Sequence, residues 1–253
     1  MILKDALISS DELFGKFELE GVVCYPSDNK TCCISGKTED DLVYLFSEYK
    51  DNEVEYDTKE FAVRKWNQIH HILNICNSTD SLDLRIETDS YNYPRIAYFS
   101  YENIQITHYL QNYTFISNQP DLLTLYKQKR FELRKAGEIT TETIPLETVK
   151  MLGRFSTLLN EKYFRIGKSN GMDCLYLGDM EQSIDCAKVF LENESRDVEW
   201  RKETYFSIDY FNQLYRALGA NENVKVRFLA NKIIMSNNSN NCNKIGVLSG
   251  KNV

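Results

Sequence analysis

Three histidines are all that the 253 residues hold, and none belongs to an HExxH stretch; GxxxxGK[ST] and GxSxG are missing as well. Those gaps exclude the zinc-protease helix, the phosphate-cradling P-loop and the nucleophile elbow. His70 and His71 are adjacent, hence about 100° apart around a helix and badly placed to share a metal. His108 falls on a strand candidate. The seven cysteines (24, 32, 33, 76, 174, 186 and 242) contain no CxxC spacing and are odd in number, so reduced and partly buried thiols are expected. Cys32 and Cys33, neighbours on a strand, point to opposite faces and have no base nearby in sequence, which suits packing and not catalysis. No apolar run is long enough to span a bilayer, and the start MILKDALISSDELFGKF, charged at Lys4 and Asp5, does not read as a secretory signal. A cytoplasmic setting, no membrane, no metal, no cofactor and no catalytic residue are the expectations.

What is present is a length and a 42% hydrophobic content that allow one large domain or two of about 120 residues. The formal net charge is -7, an unusual start for a protein that works on nucleic acid. Its distribution is uneven: residues 1–120 carry 10 basic against 20 acidic side chains, and residues 121–253 carry 20 against 17. The chain also repeats itself. FAVRKWNQIHHIL (61–73) and FSIDYFNQLYRAL (206–218) align at an offset of 145, matching Phe61 with Phe206, Asn67 with Asn212, Gln68 with Gln213 and Leu73 with Leu218. Val63, Trp66 and Ile69 meet Ile208, Phe211 and Leu214. The similarity resumes at the next strand at an offset of 142, where Leu82, Leu84, Arg85 and Ile86 meet Val224, Val226, Arg227 and Phe228.

Periodicity orders the elements. A helix is expected over about residues 9–17, capped by Ser9 and Ser10, with Leu13, Phe14 and Phe17 at helical spacing. VVCY and TCCIS form a hairpin across PSDNK, and DLVYLF is a strand or a short helix. A helix at 64–75 is followed by strands at LDLRIET, RIAYFS and IQITHYLQNYTFI. PDLLTLYKQKR suits a connector between domains. A helix then starts after Ile144 and Pro145. KYFRIGK, CLYLGD and DCAKVFLEN follow as strands, with the turn formers SNGM between the first two. The second repeat helix and strands at VKVRFL, NKIIMSN and KIGVLSG complete four strand-helix-strands units, two per half. SNNSNNCNK reads as a hairpin loop.

Each helix is amphipathic. Trp66, Ile69 and Leu73 share one face of the first repeat helix, with Arg64, Lys65, Gln68 and His71 on the other. Phe211, Leu214 and Leu218 oppose Gln213 and Arg216 on its copy. The helix after Pro145 buries Val149, Leu152 and Leu159 and exposes Lys150 and Arg154. Basic side chains are ordinary on any solvated helix face, yet here the acids crowd loops and strand ends (Glu39, Asp40, Asp41, Glu53, Glu55, Asp57, Glu192, Glu194) instead.

Four such units resemble the DNA sliding clamps of replicative polymerases, in the trimeric type of tailed bacteriophages and proliferating cell nuclear antigen. The residues that carry the resemblance are EFAVRKWNQIHHIL with LDLRI, and IPLETVKMLGRFSTLLNEKYFRI with YFSIDYFNQLYRAL and VKVRFL. It implies an α+β fold of two similar clamp-type domains, residues 1–119 and 131–253, joined by a connector at 120–130, with helices on one side of antiparallel sheets. It implies a non-enzymatic processivity factor, a homotrimeric ring that encircles duplex DNA without reading sequence, tethers a DNA polymerase and is placed by an ATP-dependent clamp loader. The compartment is then the host cytoplasm if a phage encodes it. On the same resemblance Arg64, Lys65, Lys150, Arg154 and Arg216 face DNA, with Lys16 and His71 beside them, contacting phosphates only. Ile104, Ile106 and His108, with Ala187, Val189 and Leu191, mark the edge strands that pair between subunits. Leu122, Leu125 and Tyr126 lie near a pocket for partner peptides, or simply pin the connector.

Rival readings remain. A monomeric factor of the same fold would hold DNA on a basic face, and Lys188 on the 185–192 strand suits it by disrupting an edge. Asp173, Asp179, Glu181 and Asp185 would serve a metal-dependent nuclease, although their irregular spacing fits solvated loop acids better. A binding protein on a duplicated scaffold would involve no DNA.

Overall fold

In the computed structural model, helices with one apolar stripe pack on antiparallel strands, some alternating between core and solvent and others buried along their length, as at Thr31–Thr38. The structure describes residues 2–28, 30–50, 59–76, 81–112, 141–178, 185–194, 203–219, 224–229, 231–238 and 241–252. The chain forms two compact units, residues 1–130 with 238–244 and residues 131–237 with 245–253.

The first unit opens with helix α1 (Ile2–Phe14), then the antiparallel strands β1 (Leu19–Asp28), β2 (Thr31–Thr38) and β3 (Val43–Lys50). β4 (Phe61–Val63) pairs with the free side of β1, Ala62 opposite Val23, and leads into α2 (Trp66–Ile75). A second sheet, β5 (Asp83–Thr88), β6 (Pro94–Tyr101) and β7 (Ile104–Tyr109), follows as a meander. α1 packs on β2 and β3, and α2 on β1. The segment 238–244 belongs here too: Lys50 N donates to Asn241 O (2.8 Å), and Ser47 Oγ lies 3.3 Å from Cys242 Sγ.

The second unit repeats the plan. β8 (Thr141–Thr143) precedes α3 (Leu146–Leu159), β9 (Tyr163–Ser169), β10 (Met172–Leu177) and β11 (Ala187–Glu194). Then come β12 (Thr204–Ser207), α4 (Ile208–Ala217), β13 (Lys225–Leu229), β14 (Lys232–Asn238), β15 (Cys242–Ser249) and β16 (Lys251–Asn252). One sheet runs β11-β10-β9-β12-β16, and β15-β14-β13-β8 neighbour one another in a second. Asn170 (φ 53°) and Gly171 (φ 80°) make the tight β9–β10 turn expected from SNGM. Ser207 caps α4 by accepting from Tyr210 N, and left-handed Asn160 (φ 55°) ends α3.

The internal repeat is structural. Phe61 and Phe206, Val63 and Ile208, Trp66 and Phe211, Ile69 and Leu214, and Leu73 and Leu218 are all buried. They occupy the strand-to-helix corner of β4–α2 and of β12–α4. In the second unit Phe164 of β9 stacks against Phe206 (5.6 Å) and meets Phe211 edge-on (5.2 Å), joining sheet to helix. Trp66 does the same work in the first unit, 5.3 Å from Phe14 of α1.

Four sequence expectations change. α1 begins at Ile2, so Ser9 and Ser10 are interior and not caps; Ser10 is buried and its Oγ bonds Ser47 Oγ at 2.8 Å. Phe17 is buried beyond the helix end. α2 starts at Trp66 because β4 runs to Val63 and the chain needs Arg64 and Lys65 to turn, which removes both from the helix face. Leu159, expected in the core, is only half-buried, while of the two readings of DLVYLF the strand holds from Val43 onward.

The corner aromatics carry the prediction: Trp66→Ala and Phe211→Ala each lower stability by about 3–5 kcal/mol. Gln68→Ala on the solvated face stays within about 0.5 kcal/mol. Urea unfolding of the three variants checks the contrast.

Candidate nucleic-acid interface

Burying Val149 and Leu152 turns Lys150, Met151 and Arg154 of α3 outward. Burying Phe211 and Leu214 turns Arg216 of α4 outward. The two helices approach closely at Gly153, where a Cβ would sit 3.3 Å from Asn212 Nδ2 of α4, so a hydrogen there lets both faces lie side by side. In the first unit Lys16, Arg64, Lys65, Gln68 and His71 are exposed. The structure thus groups Lys150, Arg154 and Arg216 on one pair of helices, and Arg64, Lys65 and His71 around the start and outer side of α2.

Sequence reasoning missed two partners. Glu147 stands one turn before Lys150 and binds its Nζ at 2.7 Å, an ion pair that the (i, i+3) spacing announces. Hydrogen bonding from Lys150, then the charges of Lys150 and Arg154, hold the Glu147 carboxyl below its ordinary pKa. Asp11 of α1 is the second. Its Oδ1 accepts from Trp66 Nε1 (3.0 Å) and its Oδ2 from His70 Nδ1 (2.7 Å), while Asn74 Nδ2 reaches His70 Nε2 (3.0 Å). His70 therefore ties α2 to α1, and only His71 of the pair faces solvent. The signal for Asp11 lies 55 residues from Trp66 and could not be read locally.

Both expected edges close a sheet among the described residues: β7 ends β5-β6-β7, and β11 ends its five-stranded sheet. Ile104 is 45% exposed, and Ile106 and His108 are half-buried. On β11 Ala187 is half-buried, whereas Val189 and Leu191 turn into their own unit; among its described side chains Lys188 and Phe190 face solvent. Val189 and Leu191 can offer a neighbour only their backbone. Leu122, Leu125 and Tyr126, and the whole 120–130 connector, lie outside the described residues.

No group of three or more metal-binding side chains occurs among the described residues. Asp173 is not a loop acid as expected but a buried residue of β10, 1% exposed, and Asp185 is exposed; Asp179 and Glu181 lie outside the described residues. Burial pushes the thiols of Cys24, Cys76, Cys174 and Cys242 above the ordinary range, away from thiolate chemistry. No helix among the described residues is long and apolar enough to cross a membrane.

No protein-family model matches the sequence, and no curated protein does. Solved structures do. PCNA from A. fulgidus, bound to the C-terminal region of FEN-1, matches 99% of this chain with 96% of its own at a TM-score of 0.62 and 12% identity. The fold is that of the sliding clamps. PCNA from Thermococcus kodakaraensis agrees at a TM-score of 0.60 and 10% identity, over 98% of this chain and 97% of that one. The H. pylori beta clamp, in complex with diflunisal, gives 0.64 and 12% over the whole of this chain but 64% of its own. The chain thus spans nearly all of a PCNA subunit and less than two thirds of a bacterial clamp. The clamp fold expected from the repeat is the fold observed: α+β, two similar domains, helices on one side of antiparallel sheets.

The β7 edge carries a pH signature. His108 Nε2 is buried with no hydrogen-bond partner among the described residues, and burial lowers its pKa below the ordinary imidazole value. The unfolded chain takes up that proton near pH 6.5 and the folded chain only at lower pH. Stability tied to neutral His108 is therefore complete above about pH 6.5 and falls as pH drops toward the folded value. Urea midpoints measured between about pH 7.5 and about pH 5 should decline, and His108→Gln should flatten that decline.

Proposed function

We propose that the protein is a DNA polymerase processivity factor: a homotrimeric ring that encloses duplex DNA, tethers the replicative polymerase and is placed by an ATP-dependent loader. The observation that carries this reading is the match to almost the full length of PCNA, in a chain whose described sheets include β7 as an end strand in the first unit and β11 as one in the second. Pairing β7 of one copy with β11 of the next would satisfy both edges and repeat around a closed ring. Six domains would then enclose the hole, with residues 120–130 as the connector in each copy and Leu122, Leu125 and Tyr126 near its partner-peptide pocket. Exposed Arg64, Lys65, Lys150, Arg154 and Arg216, with Lys16 and His71, would meet phosphates without reading bases. The protein acts as a scaffold and not as an enzyme in this reading.

One observation favours the monomeric alternative: β11 exposes Lys188, and a lysine on an edge strand discourages pairing. Light scattering separates the two. A ring gives a mass near three times 29.6 kDa; a monomer at every concentration refutes the ring. Charge tests the helix face. Lys150→Glu with Arg154→Glu should weaken duplex affinity about tenfold at moderate salt and shorten polymerase products on primed template. Unchanged product length would remove α3 from the DNA face.

A further inference from the structure

The face of the β11-β10-β9-β12-β16 sheet opposite its helices holds a feature that the ring reading does not use. In β9, Phe164 and Ile166 are buried toward α4 while Tyr163 and Arg165 point the other way. Register extends that outer row across the sheet. Lys251 of β16 lies opposite Tyr205 of β12, Arg165 opposite Tyr176 of β10, and Tyr176 opposite Lys188 of β11. The pairing of Phe206 with Phe164 sets Tyr205 beside Arg165. Cation and tyrosine therefore alternate over five strands, a row of about 19 Å at ordinary strand spacing.

The contacts are made and not merely adjacent. Arg165 Cζ sits 5.2 Å from the Tyr205 ring centre, its Nη1 reaches Tyr205 Oη at 3.5 Å, and its Nη2 donates to Gly178 O at 2.9 Å. Lys188 Nζ lies 5.4 Å from the Tyr176 ring centre. Tyr176 is the packed floor, 3% exposed, its hydroxyl donating to Lys168 O (2.7 Å) and its pKa pushed up to about 12, first by burial. A pocket of about 450 Å³ opens above this row, bounded by Glu161, Tyr163, Arg165, Tyr205 and Lys251 with Tyr176 beneath. Tyr163 is 37% exposed, so ring surface is available at its mouth.

We propose that this pocket and its row of cations bind single-stranded nucleic acid, one nucleotide seated in the pocket and its phosphates on Arg165, Lys251 and Lys188. Rings that alternate with cations match a ligand that alternates flat bases with negative charge. Glu161 supplies an acceptor for a base amino group, which favours cytosine or adenine. An acidic peptide would use the cations but leave the tyrosine faces idle. The site is on strands of the second unit alone and is separate from the helix face assigned to duplex DNA, so it stands or falls independently of the ring.

The test is fluorescence anisotropy of a labelled oligo(dC) of about twelve residues with the full chain at low salt. Binding should weaken with salt at a log–log slope of about −1 to −2, as two or three phosphate contacts on a single strand require. Tyr205→Leu and Tyr163→Leu should each lower affinity at least about fivefold. Lys251→Glu, on an exposed position, should do the same, and Lys225→Glu, on an exposed position of β13 in the other sheet, should leave it unchanged. Absence of binding, equal loss in the Lys225→Glu control, or equal competition by inorganic polyphosphate or poly-glutamate would overturn the proposal; at least about tenfold weaker competition by both supports it.

Discussion

Helices α2 and α4 each bury one stripe, and a large aromatic near the start of that stripe decides the rest. Trp66 in α2 and Phe211 in α4 stand one turn past a short buried strand and fill the corner between strand and helix. A ring seated there sets the rotation of the helix about its axis. Rotation in turn determines that Gln68 and His71, or Gln213 and Arg216, lie away from the sheet. The outward face of each of these helices is thus a consequence of core packing.

The same constraint separates two kinds of surface in the second unit. Strands that bury Phe164, Ile166, Leu175 and Leu177 under α3 and α4 must send their alternate residues to the other side of the sheet. On that side the polar load is aromatic and cationic, while on the helices it is mixed. Lys150 is held by Glu147, so α3 presents a more tempered positive charge than a count of lysines and arginines suggests.

Much of the fold was legible because the repeat keeps its spacing. An offset of 145 aligned residues that prove to be equivalent core positions, and the three-residue shift to 142 falls in the loop before β5 and β13. Amphipathic periodicity found α2, α3 and α4 and the longer strands, but did not mark out the short β4, β8, β12 and β16. It failed where local signals compete: Ser9 and Ser10 look like caps, yet Ser10 is buried against Ser47 of β3, a contact 37 residues away. Arg64 and Lys65 continue a helical pattern in sequence, but the β4 ladder with β1 claims the backbone up to Val63.

The sequence by itself determined the cores of α2, α3 and α4 and of the longer strands, and that the plan is used twice, because these follow from periodicity within a dozen residues. Tertiary structure alone decided which partners meet across the fold. Asp11 finds Trp66 and His70, Val189 and Leu191 turn inward on an edge strand, and Lys251, Tyr205, Arg165, Tyr176 and Lys188 line up in one row. Those arrangements depend on strand register and helix docking between segments tens of residues apart, and no local pattern encodes register.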